Sequence, residues 1–367
     1  MNILQKYAEL LVNYSLSVQP GERVLVDTTT LAEPLAREVY RSILKAGGHP
    51  HINLEFRGKS RIFMDTANDD QLAYNSPLYI KAMEEFECYL YIRAPFNTSA
   101  MRNADMSKSS VVAKARQPYR KIYSERTATR ALKRSLCEYP TAAMAQNAGM
   151  SLEEYKQFIF NACFLFEENP KEKWLEVRHN QQRIVDLLNS RTKIHYKGEG
   201  IDLTFNTEGR TWINSDGQTN MPSGEVYTSP VENSVNGVIY FDYPATRMGE
   251  ELQGVTLWVE NGEVVKWQAK KGQNVLDKVF KVKGAKFFGE AAIGTNNNIN
   301  TPTKNILFDE KMGGTVHLAI GQSYLQAGGK NQSSVHWDMI AEMRNGGEIY
   351  ADDELIYKNG VFLMMNN

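Results

Sequence analysis

The chain has 367 residues, 42% of them hydrophobic and 23% charged, with a formal net charge of −1. That is more than one core comfortably serves, so two domains are expected, in an ordinary globular composition. The charge balance excludes the clustered Lys and Arg excess that a general nucleic-acid or acidic-membrane binder needs to displace counterions, and no apolar run approaches a membrane span.

The start, Met1 to Lys6, lacks a charged segment followed by an apolar one, so no targeting signal is read there. Ile3, Leu4, Tyr7, Leu10, Leu11 and Tyr14 then recur at helical spacing, followed by Pro20-Gly21 and the buried-strand run Val24-Leu25-Val26. A second helix from about Thr30 carries Leu35, Val39, Ile43 and Leu44 on one stripe and stops at Gly47-Gly48. Strands at Ile52–Phe56 and Tyr89–Ile92, with helix signals between Asp69 and Glu85, complete an alternation that predicts an α/β layer on a parallel sheet. The basic stretch from Lys114 to Lys133 reads as a solvated helical face, and no glycine-rich phosphate loop interrupts the pattern. Ser151-Leu152-Glu153-Glu154 is a capping box opening a helix through Cys163. Asn169-Pro170 opens a long helix with Trp174, Val177, Gln181, Ile184 and Leu188 on one stripe.

The domain boundary is expected near Ser190, giving an N-terminal α/β domain over residues 1–190 and a β-rich (α+β) domain over 191–367. Beyond it the texture changes to short strands and tight turns: Ile201–Phe205, Gly237–Asp242, and Leu257–Trp267 folded at Asn261-Gly262. Asn-Gly between alternating runs signals a two-residue hairpin, and it recurs at Asn345-Gly346 and Asn359-Gly360. Cys88, Cys137 and Cys163 lie far apart, and an odd count cannot form a fully paired framework, so a reducing cytoplasm is the expected setting.

Chemistry concentrates in the last third. In Thr315–Ile320 the apolar Val316, Leu318 and Ile320 alternate with Thr315, His317 and Ala319, so His317 is expected to face away from the apolar side. Val335, Trp337 and Met339 alternate likewise with His336 and Asp338, setting an imidazole and a carboxylate side by side with aromatic packing behind. Glu225 follows a turn shaped by Pro222 and Gly224, and Glu290 sits among apolar residues, where an acid costs several kcal/mol unless paired or metal-bound. A lone strand histidine is more often structural, but two histidines and three carboxylates supply enough donors for divalent metal. His317, His336 and Asp338 alone would make the facial set of a mononuclear iron oxygenase, whereas Glu225 and Glu290 extend it to two ions sharing a bridging group. Tyr324 follows the His317 strand closely enough to reach the same pocket. His49, His51, His179 and His195 read as structural or surface residues.

Together, Met221–Pro230 around Glu225, Gly289-Glu290, Thr315–Tyr324 and Ser333–Asp338 resemble the M29 thermophilic metalloaminopeptidases, and the similarity extends to Pro140–Gln146 and Gly149–Tyr155. The resemblance implies an α/β N-terminal domain, a C-terminal catalytic domain and a homodimer. It further implies that Glu225, Glu290, His317, His336 and Asp338 hold two divalent ions (Zn, Co, Mn or Mg), that Tyr324 is catalytic, and that small unblocked peptides are substrates. Longer members carry two successive glutamates where this chain has Gly224-Glu225, and a longer stretch between the counterparts of Tyr324 and His336. A related fold hosts an iron ring-cleaving dioxygenase using the His, His, Asp subset. A mononuclear Fe(II) dioxygenase and a metal-free binding protein are therefore the alternative expectations.

Overall fold

The computed structural model describes residues 1–247 and 250–365. Two compact units are present: Met1–Lys171 with Gly217–Pro222, and Glu172–Asp216 with Ser223–Asn367.

The first unit is built on a parallel sheet. Its strands lie in the order His49–Glu55, Arg23–Thr29, Cys88–Arg93, Lys133–Glu138 and Asn220–Met221. Val24, Val26, Leu90 and Ile92 are fully enclosed, as near-continuous apolar runs in parallel strands must be when helices cover both faces. Asn2 and Ser151 close their helices with reciprocal side-chain caps, the latter as the sequence predicts. The basic segment forms a helix over Gln117–Ala128 with no buried residue. Glu138 ends its strand fully buried, accepting two hydrogen bonds from the Arg93 guanidinium at 2.9 and 2.7 Å and one from the Tyr155 hydroxyl.

The long helix Pro170–Asn189 goes with the second unit from Glu172 onward, earlier than the boundary expected near Ser190. The reason is packing: Ile184, Val185 and Leu188 are buried in that unit's core. The unit contains two antiparallel sheets. The larger includes the hairpin Glu250–Glu260/Glu263–Lys271, closed by Asn261-Gly262 with both residues at positive φ. Asn359-Gly360 likewise joins a hairpin, but Asn345-Gly346 does not. It lies between His336–Glu342 and Glu348–Ala351, which belong to different sheets, so its glycine (φ +74°) serves a turn between layers.

The smaller sheet has the order His336–Glu342, Thr315–Gly321, Phe288–Gly294, Glu225–Thr228, Ile213–Ser215. Its Val316, Leu318, Ile320, Ile293, Trp337 and Met339 enter the shared apolar core. By strand alternation the opposite face carries the acids and histidines.

Removing the Glu138 carboxylate would take a fully buried charge and three charge-assisted hydrogen bonds from Arg93 and Tyr155. Glu138→Ala is therefore expected to destabilise the protein by about 3–5 kcal/mol. Urea denaturation followed by circular dichroism measures it, and a loss within 0.5 kcal/mol of zero would contradict the role assigned to the pair.

Candidate metal centre

Register explains why five side chains distant in sequence meet. Across the smaller sheet, His317 lies opposite Ala292 on one side and Ile340 on the other. Ala319 lies opposite Glu290 and Asp338, Gly321 opposite His336, and Gly294 opposite Glu225. Donors thus alternate with alanine and glycine on one face, and the small residues leave a basin over which longer side chains converge. A bulge between Phe288 and Glu290 accompanies this arrangement. A Cβ at Gly289 would stand 2.1 Å from the Gln322 carbonyl oxygen, so only glycine permits the approach.

All five residues singled out in the sequence are brought together. His317 Nε2 lies 3.5 Å from Glu225 Oε2 and 3.7 Å from Glu290 Oε1, while His336 Nε2 lies 3.2 Å from Glu290 Oε2 and 3.6 Å from Asp338 Oδ1. Two triads result, Glu225/Glu290/His317 and Glu290/His336/Asp338, sharing Glu290. Most of these separations exceed a hydrogen bond but suit donors around one cation, since ligands 2.0–2.2 Å from an ion stand about 3.0–3.4 Å apart. The polar atoms Glu225 Oε2, Asp338 Oδ1 and both His317 ring nitrogens are buried without hydrogen-bond partners. Buried polar atoms left so are costly in a native protein, and a divalent cation is the partner that the donor chemistry of Glu225 Oε2, Asp338 Oδ1 and His317 Nε2 fits.

Supporting contacts fix the geometry. His336 Nδ1 donates to the Gln322 carbonyl at 2.8 Å, directing Nε2 at the carboxylates. Buried Gln181 donates to the Glu225 carbonyl at 3.2 Å and to the Ser215 carbonyl at 3.0 Å. Tyr324 brings its hydroxyl to 3.4 Å from His336 Nε2, with its ring against Tyr227. Its amide donates to Ser229 Oγ, which itself donates to the Gly289 carbonyl. The Coulombic field of Glu290, with burial, holds the Tyr324 phenol well above its ordinary pKa, so it stays a donor at neutral pH. The His336 side chain retains 27% exposure and that of His317 1%, so the cluster opens on the Tyr324 side.

Sequence reasoning missed Glu310 and Lys311. Lys311 is fully buried, its ammonium in direct contact with the Glu310 carboxylate and 3.5 Å from Glu225 Oε1. Burial works to lower the lysine pKa, but Glu225 and Glu310 outweigh it and keep the group charged. Burial pushes the Glu310 carboxyl up despite Lys311, with Glu225 and Asp338 adding to the effect. The available signal was an acid–base pair enclosed by Leu307, Phe308 and Met312 just before the His317 strand. Arg247 was also missed: it donates to the His336 carbonyl at 3.4 Å and lies over the Trp337 ring. Gly224 has φ +116°, and a Cβ there would stand 2.7 Å from Asn296 Cβ, so the backbone has no room for a second glutamate before Glu225.

The sequence profile of the thermophilic metalloprotease (M29) family matches residues 1–362. Among curated proteins, Aminopeptidase 2 of Geobacillus stearothermophilus is 27% identical, the match covering 92% of this chain and 91% of that one. Aminopeptidase AmpS of Bacillus subtilis (strain 168) is 26% identical over 97% of each. The solved structure of wild-type AmpT from Thermus thermophilus superposes with a TM-score of 0.84 at 23% identity, covering 98% of this chain and 99% of that one, and shows the same fold.

The electrostatics carry a pH dependence. Burial opposes protonation of His317, but Glu290, Glu225 and Asp338 outweigh it and raise its pKa to about 9. Burial likewise opposes His336, but Asp338 and Glu290 raise it to about 11. Without metal both imidazoles therefore hold protons at pH 7.5, and a metal must displace them. Metal uptake is expected to release protons and to tighten as pH rises toward 9. Calorimetry in two buffers of different ionisation enthalpy measures the release, and identical enthalpies in both would contradict it.

Proposed function

The chain belongs to the M29 family of thermophilic metalloproteases, and from that premise we propose that it is a metal-dependent aminopeptidase that removes N-terminal residues from small unblocked peptides. The observation that carries this reading is the five-donor cluster with unpartnered buried atoms, bordered by a phenol that remains protonated. Inclusion of Glu225 and Glu290 beside both histidines favours it over the three-residue iron set, and the orphaned donors favour it over a metal-free binding protein.

Glu225, Glu290 and His317 would hold one divalent ion and Glu290, His336 and Asp338 a second; Glu290 belongs to both triads, its two oxygens directed at different histidines. Zn, Co, Mn or Mg suits such a mixture of imidazole and carboxylate. When bound, divalent metal supplies Lewis acidity, polarising a carbonyl, making water a competent nucleophile near neutral pH and offering a position to the lone pair of an unblocked, neutral N-terminal amine, which N-acetylation removes. The rest falls to the chain. Gln322 keeps the His336 ring oriented. Tyr324, its backbone pinned through Ser229, donates a hydrogen bond to the oxyanion that develops on the scissile carbonyl. The first glutamate of the longer members has no counterpart at Gly224, so any base role it carries there is not carried over.

A homodimer is proposed on the family resemblance, and a cytoplasmic setting on three buried cysteines, none in a disulfide. Among the described residues no helix is long and apolar enough to cross a membrane.

Chelation is expected to abolish release of N-terminal residues and added divalent metal to restore it, while N-acetylated peptides remain poor substrates. Efficient cleavage of acetylated peptides would refute the exopeptidase reading. Tyr324→Phe keeps the ring and removes the hydroxyl, so metal content should be unchanged while kcat falls roughly 100- to 1000-fold. Loss of metal from that variant would instead make the tyrosine a ligand or its support.

A further inference from the structure

Resting on the proposed two-triad metal centre, we propose that Lys311 makes the two ion sites unequal, the Glu290/His336/Asp338 site binding tightly and the Glu225/Glu290/His317 site weakly. Glu225 is divided between two partners. Its Oε1 lies 3.5 Å from the Lys311 ammonium, and its Oε2 lies 3.5 Å from His317 Nε2 with no hydrogen bond of its own. Only one oxygen is therefore free for an ion, and the carboxylate charge is already partly neutralised. Lys311 cannot withdraw easily: it is fully buried, its charge is held by Glu310 as well, and its backbone carbonyl accepts from the Asn296 amide at 3.0 Å. The built-in ammonium occupies part of the electrostatic role that a second divalent ion would fill.

The other triad has its cations farther off. Among the described contacts no lysine or arginine stands within ion-pair distance of His336 or Asp338, Arg247 and Lys311 acting on Asp338 only at longer range, and the His336 side chain reaches solvent, giving an ion a path in. The resident charge at position 311 and the steric exclusion of a side chain at Gly224 act in the same direction, because both reduce the negative charge offered at the Glu225 end. A unit charge a few ångströms from a divalent ion, at an effective dielectric constant near 20, separates the two affinities by roughly 100-fold or more.

The test is equilibrium dialysis of the full-length metal-free protein against Co²⁺, with metal counted by elemental analysis, so that the readout is binding and not turnover. The expected result is one tight equivalent and a second with a Kd at least about 100-fold higher. Lys311→Met should narrow the gap at least about tenfold, Lys311→Arg should keep it, and Glu225→Gln should remove only the weak equivalent. Should Lys311→Met fail to fold because Glu310 loses its partner, the double variant Lys311→Met/Glu310→Gln removes the pair together and should narrow the gap likewise. Two equivalents with Kd values within about tenfold in the wild-type protein would overturn the proposal while leaving the aminopeptidase reading intact, as would an unchanged gap in a folded Lys311→Met or Lys311→Met/Glu310→Gln protein. No bound Co²⁺ at all would overturn both.

Discussion

Several carboxylates forced toward one another in a largely water-excluded pocket are the constraint on which this site depends. Glu225, Glu290 and Asp338 converge from neighbouring strands, Glu310 approaches from the preceding turn, and among the described residues the only permanent cation in direct contact is Lys311. Such a group cannot remain ionised in a low-dielectric interior without compensation. In the absence of metal the compensation comes from protons on His317 and His336, whose affinity for them is raised against the opposing effect of burial. The same field that retains protons draws in divalent cations, so proton and metal occupancy are two solutions to one electrostatic problem.

The fold meets the cost of assembling that charge by making the sheet beneath it as apolar as possible. Ile293, Val316, Leu318, Ile320, Trp337 and Met339 lock three strands into the core, so the donor face is held by packing that donor chemistry does not disturb. Ala292, Ala319, Gly294 and Gly321 keep the surface between donors low. Larger residues there would fill the basin. This separation of roles, structure on one face and chemistry on the other, is what a two-residue strand period offers.

That period is also why much of the site was legible in the sequence. His317 and the His336/Asp338 pair were found because their strands alternate, and Glu225 and Glu290 because an acid among apolar residues or after a shaped turn is conspicuous. The α/β alternation of the first unit rested on equally regular signals. What escaped has no period. Glu310 and Lys311 lie where a four-residue helix, Ile306–Asp309, runs into a turn, and their importance follows from the strands they face across space. The long helix's attachment to the second unit was hidden because a helical stripe tells that a face is buried but not in which core. Asn345-Gly346 misled for a related reason: the dipeptide specifies a local turn, and whether the flanking strands pair is decided by the sheets they join.

Gly224 and Lys311 link these levels. At Gly224 the requirement is steric and conformational, a positive φ and Asn296 packed where a side chain would begin. At Lys311 it is electrostatic, a buried ammonium beside Glu225 and Glu310. A second glutamate at 224 would add negative charge at the end of the cluster where Lys311 now supplies positive charge. Charge and backbone thus agree: a chain that excludes an acid from that corner needs less cation there, and a fixed lysine meets part of the need. The opposite end is the more open one, where His336 and Tyr324 stand within hydrogen-bonding distance and the His336 side chain reaches solvent, so the end left without a fixed cation in contact is also the end left accessible.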